Sequence, residues 1–416
     1  MRFRFIGWLV VAVATPPGPA AAQTTPETTP GPQTFFAATL DLAYPFSNDG
    51  APRVNRLIRG DSPFDNVRLR LFADVVLNSR WSAFNQILID PSSRLGLESF
   101  LRSYLRFGAF KQEKSDLSLQ AGVVPTPFGA YSPRAYSDRN PLISDPLMYH
   151  YFTTLRSNAL PIDNAELLAH RGQGQADDFT GFTGGGGELK FDGMPMIYDP
   201  CWDVGVQALG SAGRLEYVVA VSQGTLSAPR FKGGDNNSGK QLSGRLAYVP
   251  RPGMVLGASY ARGPYLDSAL QAFVPAGTDI ESFDQEIYGF DLEFGVRHLV
   301  VYAELAHNVW ESPTITDGHG HLEGLTVLGG YVEARYTFRP GLYAAVRYDR
   351  LTFGDIDDGT GTGHAVPWDY DVRTWEYGLG YYLTDRIKAK LVRQDYTTAA
   401  PLPAEHFWAV QVSASF

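Results

Sequence analysis

The side chains best placed to do chemistry in this chain are arginines at alternate positions. Arg68 and Arg70 lie in "VRLRLFADVVL", and Arg102 and Arg106 lie in the segment 99–110. Residues two or four apart on an extended chain project to one side, so each pair presents guanidinium forks that match carboxylate or phosphate groups. Two outcomes are open for this quartet: contact with anionic groups, or charge pairing with acidic loop residues. Arg245, Arg335, Arg347, Lys388 and Lys390 add cations of the same alternating kind. Asp74, Asp291, Glu293, Glu304, Glu333, Asp349 and Glu376 stand against them. The basic groups collect near 66–110 and 386–390 and the acidic ones near 286–335, so a lumen enclosed by these faces would carry a transverse field that orients polar solutes.

Catalytic constellations are poorly represented. The chain contains no Gly-x-Ser-x-Gly elbow, and His298, His307 and His406 have no serine at matching depth for a lipid-hydrolase pair. His319, His321 and Glu323 alternate but lack further ligands, and the acidic run Asp355, Asp357, Asp358 misses the later acidic ligand of a calcium loop. "GGGG" at 184–187 is not followed by the Lys-Ser/Thr of a phosphate-binding loop. The sequence therefore implies no enzyme, no metal and no cofactor.

The elements that position these residues read as strands. Val67, Leu69, Leu71, Ala73 and Val75 alternate with Arg68, Arg70, Phe72, Asp74 and Val76. Tyr288, Phe290, Leu292 and Phe294 alternate with Gly289, Asp291 and Glu293, and the segments 331–338 and 342–349 behave likewise, with charge on one face only. About sixteen such segments follow one another, near 35–44, 66–77, 80–89, 99–110, 116–124, 200–210, 213–223, 240–249, 253–262, 285–296, 299–310, 325–338, 342–353, 370–383, 386–396 and 406–416. Eighteen is the alternative count, with "GGELKF" (186–191) as an extra strand. Short joints at 78–79, 111–115, 211–212, 250–252, 297–298, 339–341 and 384–385 alternate with long ones near 46–65, 90–98, 125–199, 224–239, 263–284, 311–324, 354–369 and 397–405. A soluble sandwich has no reason to alternate its loop lengths in this way. A transmembrane antiparallel β-barrel has one, because tight turns lie on one side of the membrane and long loops on the other.

A barrel this wide leaves an aqueous channel unless it is plugged, and the connection 125–199 is long enough to enter it. Its "PTPFGAYSPRAYSDRNPLISDPLMYHYFTTL" is rich in aromatics and prolines, and "NAELLAH" (164–170) predicts a short helix capped by Asp163. Arg134, Arg139, Arg156 and Arg171 in it either narrow the passage or pin the loop to the wall.

The N-terminus places Arg2 and Arg4 before an apolar run from Phe5 to Ala14 and then Ala20-Ala21-Ala22, which predicts a cleaved secretory signal over 1–22. A Pro/Thr-rich periplasmic leader follows over 23–34, and the barrel spans 35–416. Losing Arg2 and Arg4 takes the formal charge from −9 to −11, a balance unsuited to nucleic acid. Cys201 is the single cysteine, so no internal disulfide supports the exported chain. The chain ends in "FWAVQVSASF", where Trp408, Val410, Val412, Ala414 and Phe416 form the lipid face of a last strand that closes against the first.

"VVPTPFG" (123–129) and "WDVGVQALGSAGRLEYVVAVSQG" (202–224), together with the terminal Phe416, resemble the phosphate-selective porin O and P family of bacterial outer membranes. The resemblance implies a sixteen-stranded, usually trimeric channel whose third long loop folds into the lumen. It also implies that barrel-assembly machinery reads Phe416. The mixed lumenal charge fits a general porin passing small hydrophilic solutes, with anions such as phosphate among them, better than a dense phosphate ladder. The sequence leaves two competing readings, a lipid-hydrolysing outer-membrane barrel and a secreted soluble all-β binding protein.

Overall fold

The computed structural model describes residues 31–46, 67–90, 98–174, 181–184, 193–198, 202–230, 234–400 and 404–416. The signal (1–22), the loops near 46–65 and 90–98, "GGELKF" and Cys201 lie outside them.

The barrel strands run in chain order as β1 (Gln33–Phe46), β2 (Val67–Val76), β3 (Trp81–Asp90), β4 (Glu98–Lys111), β5 (Ser115–Pro125), β6 (Trp202–Ala212), β7 (Leu215–Ser222) and β8 (Gln241–Arg251). They continue as β9 (Met254–Pro264), β10 (Asp284–Val296), β11 (Leu299–Trp310), β12 (Leu325–Arg339) and β13 (Leu342–Phe353). A small hairpin, β14 (Asp355–Asp357) and β15 (Ala365–Pro367), interrupts the series before β16 (Val372–Tyr382), β17 (Ile387–Thr398) and β18 (Glu405–Ser415). Sixteen antiparallel strands close into one barrel, while β14 and β15 pair only with each other in a loop. The extra strands are thus a loop hairpin and the barrel count stays at sixteen. Gln33 and Thr34 belong to β1 rather than to the leader.

Closure joins β1 to β18 from Thr39↔Ser415 to Phe46↔Trp408. Phe416 continues the ladder, donating its N–H to the Ala38 carbonyl at 2.8 Å while its own carbonyl accepts from Ala38. Backbone pairing across the seam thus runs from Ala38 to Phe46 and closes the sheet over that stretch.

The outward face is apolar: Leu105, Val206, Phe290, Leu305, Val332 and Leu379 all stand exposed. Aromatic residues gather at its two ends. Trp81 packs on Phe107 and Tyr336 on Phe338 near the short turns, while Tyr260 packs on Tyr288 and Tyr348 on Trp375 toward the long loops. One expectation fails here. Charge is not confined to the inner face, because Glu286 and Arg350 share the outward parity of Tyr288 and Tyr348 at the long-loop end. A charge near the rim of such a barrel meets water or polar headgroups, so the alternation constrains only the middle of each strand.

The interior is occupied by the connection between β5 and β6. It carries two short helices, α1 (Leu147–His150) and α2 (Asn164–Ala169), the second capped as expected by the Asp163 side chain, which accepts from Glu166 N–H. Phe128, Tyr131, Met148, Tyr149 and Tyr151 from this loop join wall and outer-loop residues such as Trp310, Trp368 and Leu226 in one buried apolar cluster. Leu142 seeds a second with Tyr343, Val392 and Phe407. A sheet of this radius cannot fill its own interior, so the loop supplies the core.

Candidate functional site

The loop turns into the lumen at Pro127-Phe128-Gly129. Gly129 adopts φ +61°, and a Cβ there would lie 2.5 Å from both Glu304 Oε2 and the Tyr149 hydroxyl. Its N–H donates to Ser259 Oγ at 3.1 Å, and the next N–H, of Ala130, donates to Glu304 Oε1 at 2.9 Å. The Phe128 ring lies over Gly289, where any side chain would collide with it. The Pro-Phe-Gly triplet is therefore a corner whose geometry the wall was shaped to receive.

From that corner the loop crosses a wall of charges. Arg347 lies fully buried on β13. Its Nη2 reaches Glu376 at 2.8 Å, its Nε reaches Asp349 at 3.0 Å and its Nη1 reaches Glu333 at 3.4 Å. The same guanidinium donates to the Ser144 carbonyl at 3.0 Å, Ser144 Oγ at 2.5 Å and the Asp145 carbonyl at 3.1 Å. Glu376 in turn accepts from Ile143 and Ser144 N–H and from the Ser144 hydroxyl. Asp349 accepts from Leu147 N–H at 3.3 Å. Arg134 brings a second cation from the loop, 2.5 Å from Glu333, with its guanidinium 3.4 Å from the centre of the Tyr302 ring. Three wall carboxylates thereby meet two guanidiniums, one from the wall and one from the loop, with loop N–H and hydroxyl donors supplying the remaining bonds. Burial of such a group of charges is tolerable only because every partner is in place.

On the opposite flank Lys388 donates to the carbonyls of Asp138 and Asn140, and Lys390 donates to the Leu142 carbonyl and to Gln411. Asp41 on β1 receives Arg70 at 2.9 Å and the Ser137 hydroxyl from the loop. Tyr136 donates to Gln86 at 2.8 Å. Arg245 grips Asp291 with two hydrogen bonds, 2.9 and 2.6 Å.

The expected site residues thus divide. Arg70, Arg347, Lys388, Lys390, Asp291, Glu333 and Asp349 stand on the inner wall as their parity predicts, yet they are buried, and all but Asp291 lie under or beside the loop. Their hydrogen-bond partners in the structure are loop and wall groups. Arg134 also pins the loop. The acidic patch around Glu333 carries its own cations, Arg347 and Arg134, within hydrogen-bond reach. Arg102 is buried over the Trp202 ring at 5.4 Å. Arg68, Arg106, Arg139, Arg245, Arg335 and Glu293 keep partial exposure. Arg70 takes Asp41 on a strand, and Arg106 donates to Ser118 Oγ at 3.1 Å.

Sequence reasoning missed Asp41, Ser144 and Asp203. Asp203, the aspartate of "WDVGV", accepts from Gly224 N–H at 2.8 Å and Arg230 N–H at 2.9 Å, so it ties the loop after β7 to the start of β6. The two motif ends quoted above touch in space, and their spacing is the signal that was available.

Outside the barrel wall, Asp357 and Asp358 cap their own turn, accepting from Gly359 and Thr360 N–H. His321 pairs with Asp317. His406 pairs with Asp395, whose carboxylate also accepts from Arg393 and Tyr377, and among the described residues no serine hydrogen-bonds to that histidine. Asp369 joins the loop hairpin to the lumenal loop, accepting from Gly172 N–H at 3.0 Å, while Arg171 lies over Tyr370. Burial pushes the Asp369 carboxyl up to about 7. Because this value lies above that of the unfolded chain, the stability tied to burying this carboxyl is complete at acid pH and is lost as pH rises toward and through about 7, while the Gly172 N–H bond itself favours the carboxylate. Amide exchange of residues 170–173, corrected for intrinsic rate, is expected to be slower at pH 5 than at pH 8.5. Asp369→Asn should abolish that difference; if the variant keeps it, another group is responsible.

No family model matches this chain, and no curated protein matches it. Solved structures do. Salmonella typhi OmpF in complex with daunomycin has a TM-score of 0.54 at 12% identity, covering 93% of this chain and 98% of that one. The outer membrane channel DcaP of Acinetobacter baumannii has 0.50 at 13%, covering 93% and 98%. A loop-L8 deletion mutant of OmpT, an outer membrane protein of Vibrio cholerae, has 0.50 at 10%, covering 93% and 100%. At these identities the likeness establishes the closed antiparallel barrel fold.

Proposed function

We propose that this chain is a bacterial outer-membrane porin, a water-filled channel for passive diffusion of small hydrophilic solutes. The observation that carries the reading is a closed sixteen-stranded barrel, apolar outside and polar inside, with a long loop tied into its lumen by buried ion pairs. An apolar outer wall with aromatic ends suits a bilayer, and a polar interior suits water. The shared fold with OmpF and DcaP supports the same reading. Export by the cleaved N-terminal signal, recognition of Phe416 by assembly machinery and homotrimer formation complete the proposal.

Selectivity follows from the charges left in contact with water. Arg68, Arg106 and Arg335 share the inner faces with Asp74, Asp116, Glu216 and Glu293, and Arg139 pairs with Asp138 in the loop, a mixture we read as a general path with at most a modest preference for anions, phosphate included, rather than a dedicated phosphate path. Kinship with the phosphate-selective porins rests on the short motifs and on the inserted loop. In a planar bilayer under a salt gradient, the purified protein is expected to show stepwise conductance with a reversal potential of modest anion preference, diminished by Arg106→Gln. Strong cation preference would remove the anion assignment, and absence of any conductance would remove the channel.

A further inference from the structure

The inner faces of β2, β3, β4 and β6 bring four aromatic rings into one run. Phe84 stacks on Tyr104 with centroids 5.0 Å apart and planes 16° apart, and on Trp202 at 5.7 Å and 15°. Phe72 meets Phe84 edge-on at 6.4 Å, and Tyr136 of the loop tilts against Phe72 at 6.2 Å. The run therefore starts where the loop touches the wall at Tyr136 and extends across it. Phe72, Phe84 and Tyr104 are only half-buried, whereas Trp202 behind them is buried.

Tyr104 is flanked by bare backbone, since it lies opposite Gly122 on β5, which lies opposite Gly205 on β6. Covering a glycine explains one ring. It does not explain three part-exposed rings in a row, nor the cation beside them. Arg106 stands two residues from Tyr104 on the same inner face, half-buried, with its Nη2 on Ser118 Oγ. An aromatic shelf offers stacking area that an inorganic anion cannot use, and a guanidinium at its edge offers a fork that a neutral solute cannot use.

We infer that this shelf is a binding site for small planar aromatic carboxylates. Because the Phe84 and Tyr104 faces already lie on one another, the ligand ring packs edge-to-face against their lumen-facing rims, and the carboxylate takes Arg106. The inference rests on the channel reading, in which solute reaches the shelf from water, and names a solute class for it.

The probe is benzoate, with cyclohexanecarboxylate, phosphate and benzyl alcohol as comparisons. Titration calorimetry on the detergent-solubilised protein reads binding, and transient current blockade in a planar bilayer reads passage. Benzoate is expected to bind about tenfold more tightly than each comparison compound. Tyr104→Leu should weaken benzoate about fivefold and leave phosphate unchanged, a split that a merely structural ring would not produce. Arg106→Gln should weaken benzoate about tenfold but not benzyl alcohol. Heat-modifiable migration confirms that each variant is a folded barrel, and Phe84→Leu replaces Tyr104→Leu if the latter is not. Equal affinity for benzoate and cyclohexanecarboxylate, or unaltered benzoate affinity in the ring variants, overturns the site. Conductance without benzoate binding defeats the site alone; benzoate binding that responds to these variants without conductance defeats the channel and leaves the site.

Discussion

Replacing Arg347 by methionine is expected to release the lumenal loop while leaving the barrel closed. The substitution keeps the volume of the stem but removes the cation that faces Glu333, Asp349 and Glu376 at once, together with the donors to Ser144 and Asp145. Glu333 retains Arg134, but Glu376 is left buried with only the Ile143 and Ser144 N–H groups and the Ser144 hydroxyl, and Asp349 with the Leu147 N–H. Removing one member of a buried ionic group costs about 3–5 kcal/mol. The loop rather than the sheet bears that loss, since the interstrand hydrogen bonds of β12, β13 and β16 do not involve the side chain. Larger and noisier single-channel conductance is expected, with protease cleavage appearing near 137–150 and the heat-modifiable gel shift retained. Arg347→Lys should recover only part of the effect, because an ammonium cannot span three carboxylates and three loop acceptors with a planar fork. If Arg347→Met conducts quietly at the original level and resists protease, the loop is held by something else.

Gly129→Val is the second large effect. The residue needs a left-handed backbone, which a β-branched side chain resists by about 1–3 kcal/mol, and its Cβ would fall on Glu304 and Tyr149. Those two groups are bonded to each other at 2.6 Å, and Glu304 also accepts from Tyr331 at 2.9 Å, so neither can step aside cheaply. The corner must open, with loss of the Gly129 and Ala130 N–H anchors. Gly213 provides the control: it has φ +62° in a turn with no atom within 4 Å of its Cβ position. Gly213→Val should show the conformational term alone. A drop in thermal stability in detergent at least twice that of the control, with raised conductance, is the expected result. Equal effects in the two variants would mean that the corner has room to spare.

Much of the fold was legible because barrel rules are local. The short turns fell where two or three residues separate alternating segments, as at Arg297-His298 and Arg339-Pro340-Gly341, and the strand 342–353 matches its sequence limits. Loop-length alternation told the two ends of the barrel apart. The paired arginines also had the right parity, since Arg70 and Arg102 both turn inward. The quality of those inward positions was not legible, and neither was the aromatic shelf, whose members come from four strands with no shared motif.

The sequence by itself determined which face of the middle of each strand is polar, narrowed the barrel to sixteen or eighteen strands and marked which connection enters it, since period-two patterning and connection length are properties of neighbouring residues. Only the tertiary structure decided which inward charges meet water. Arg347 and Ser144 lie 203 residues apart, and Lys390 and Leu142 lie 248 apart. Whether a lumenal charge steers solute or holds a loop depends on where that loop comes down. That position is set by corner geometry at Gly129 and by the sum of many distant hydrogen bonds, none of which leaves a periodic trace in the chain.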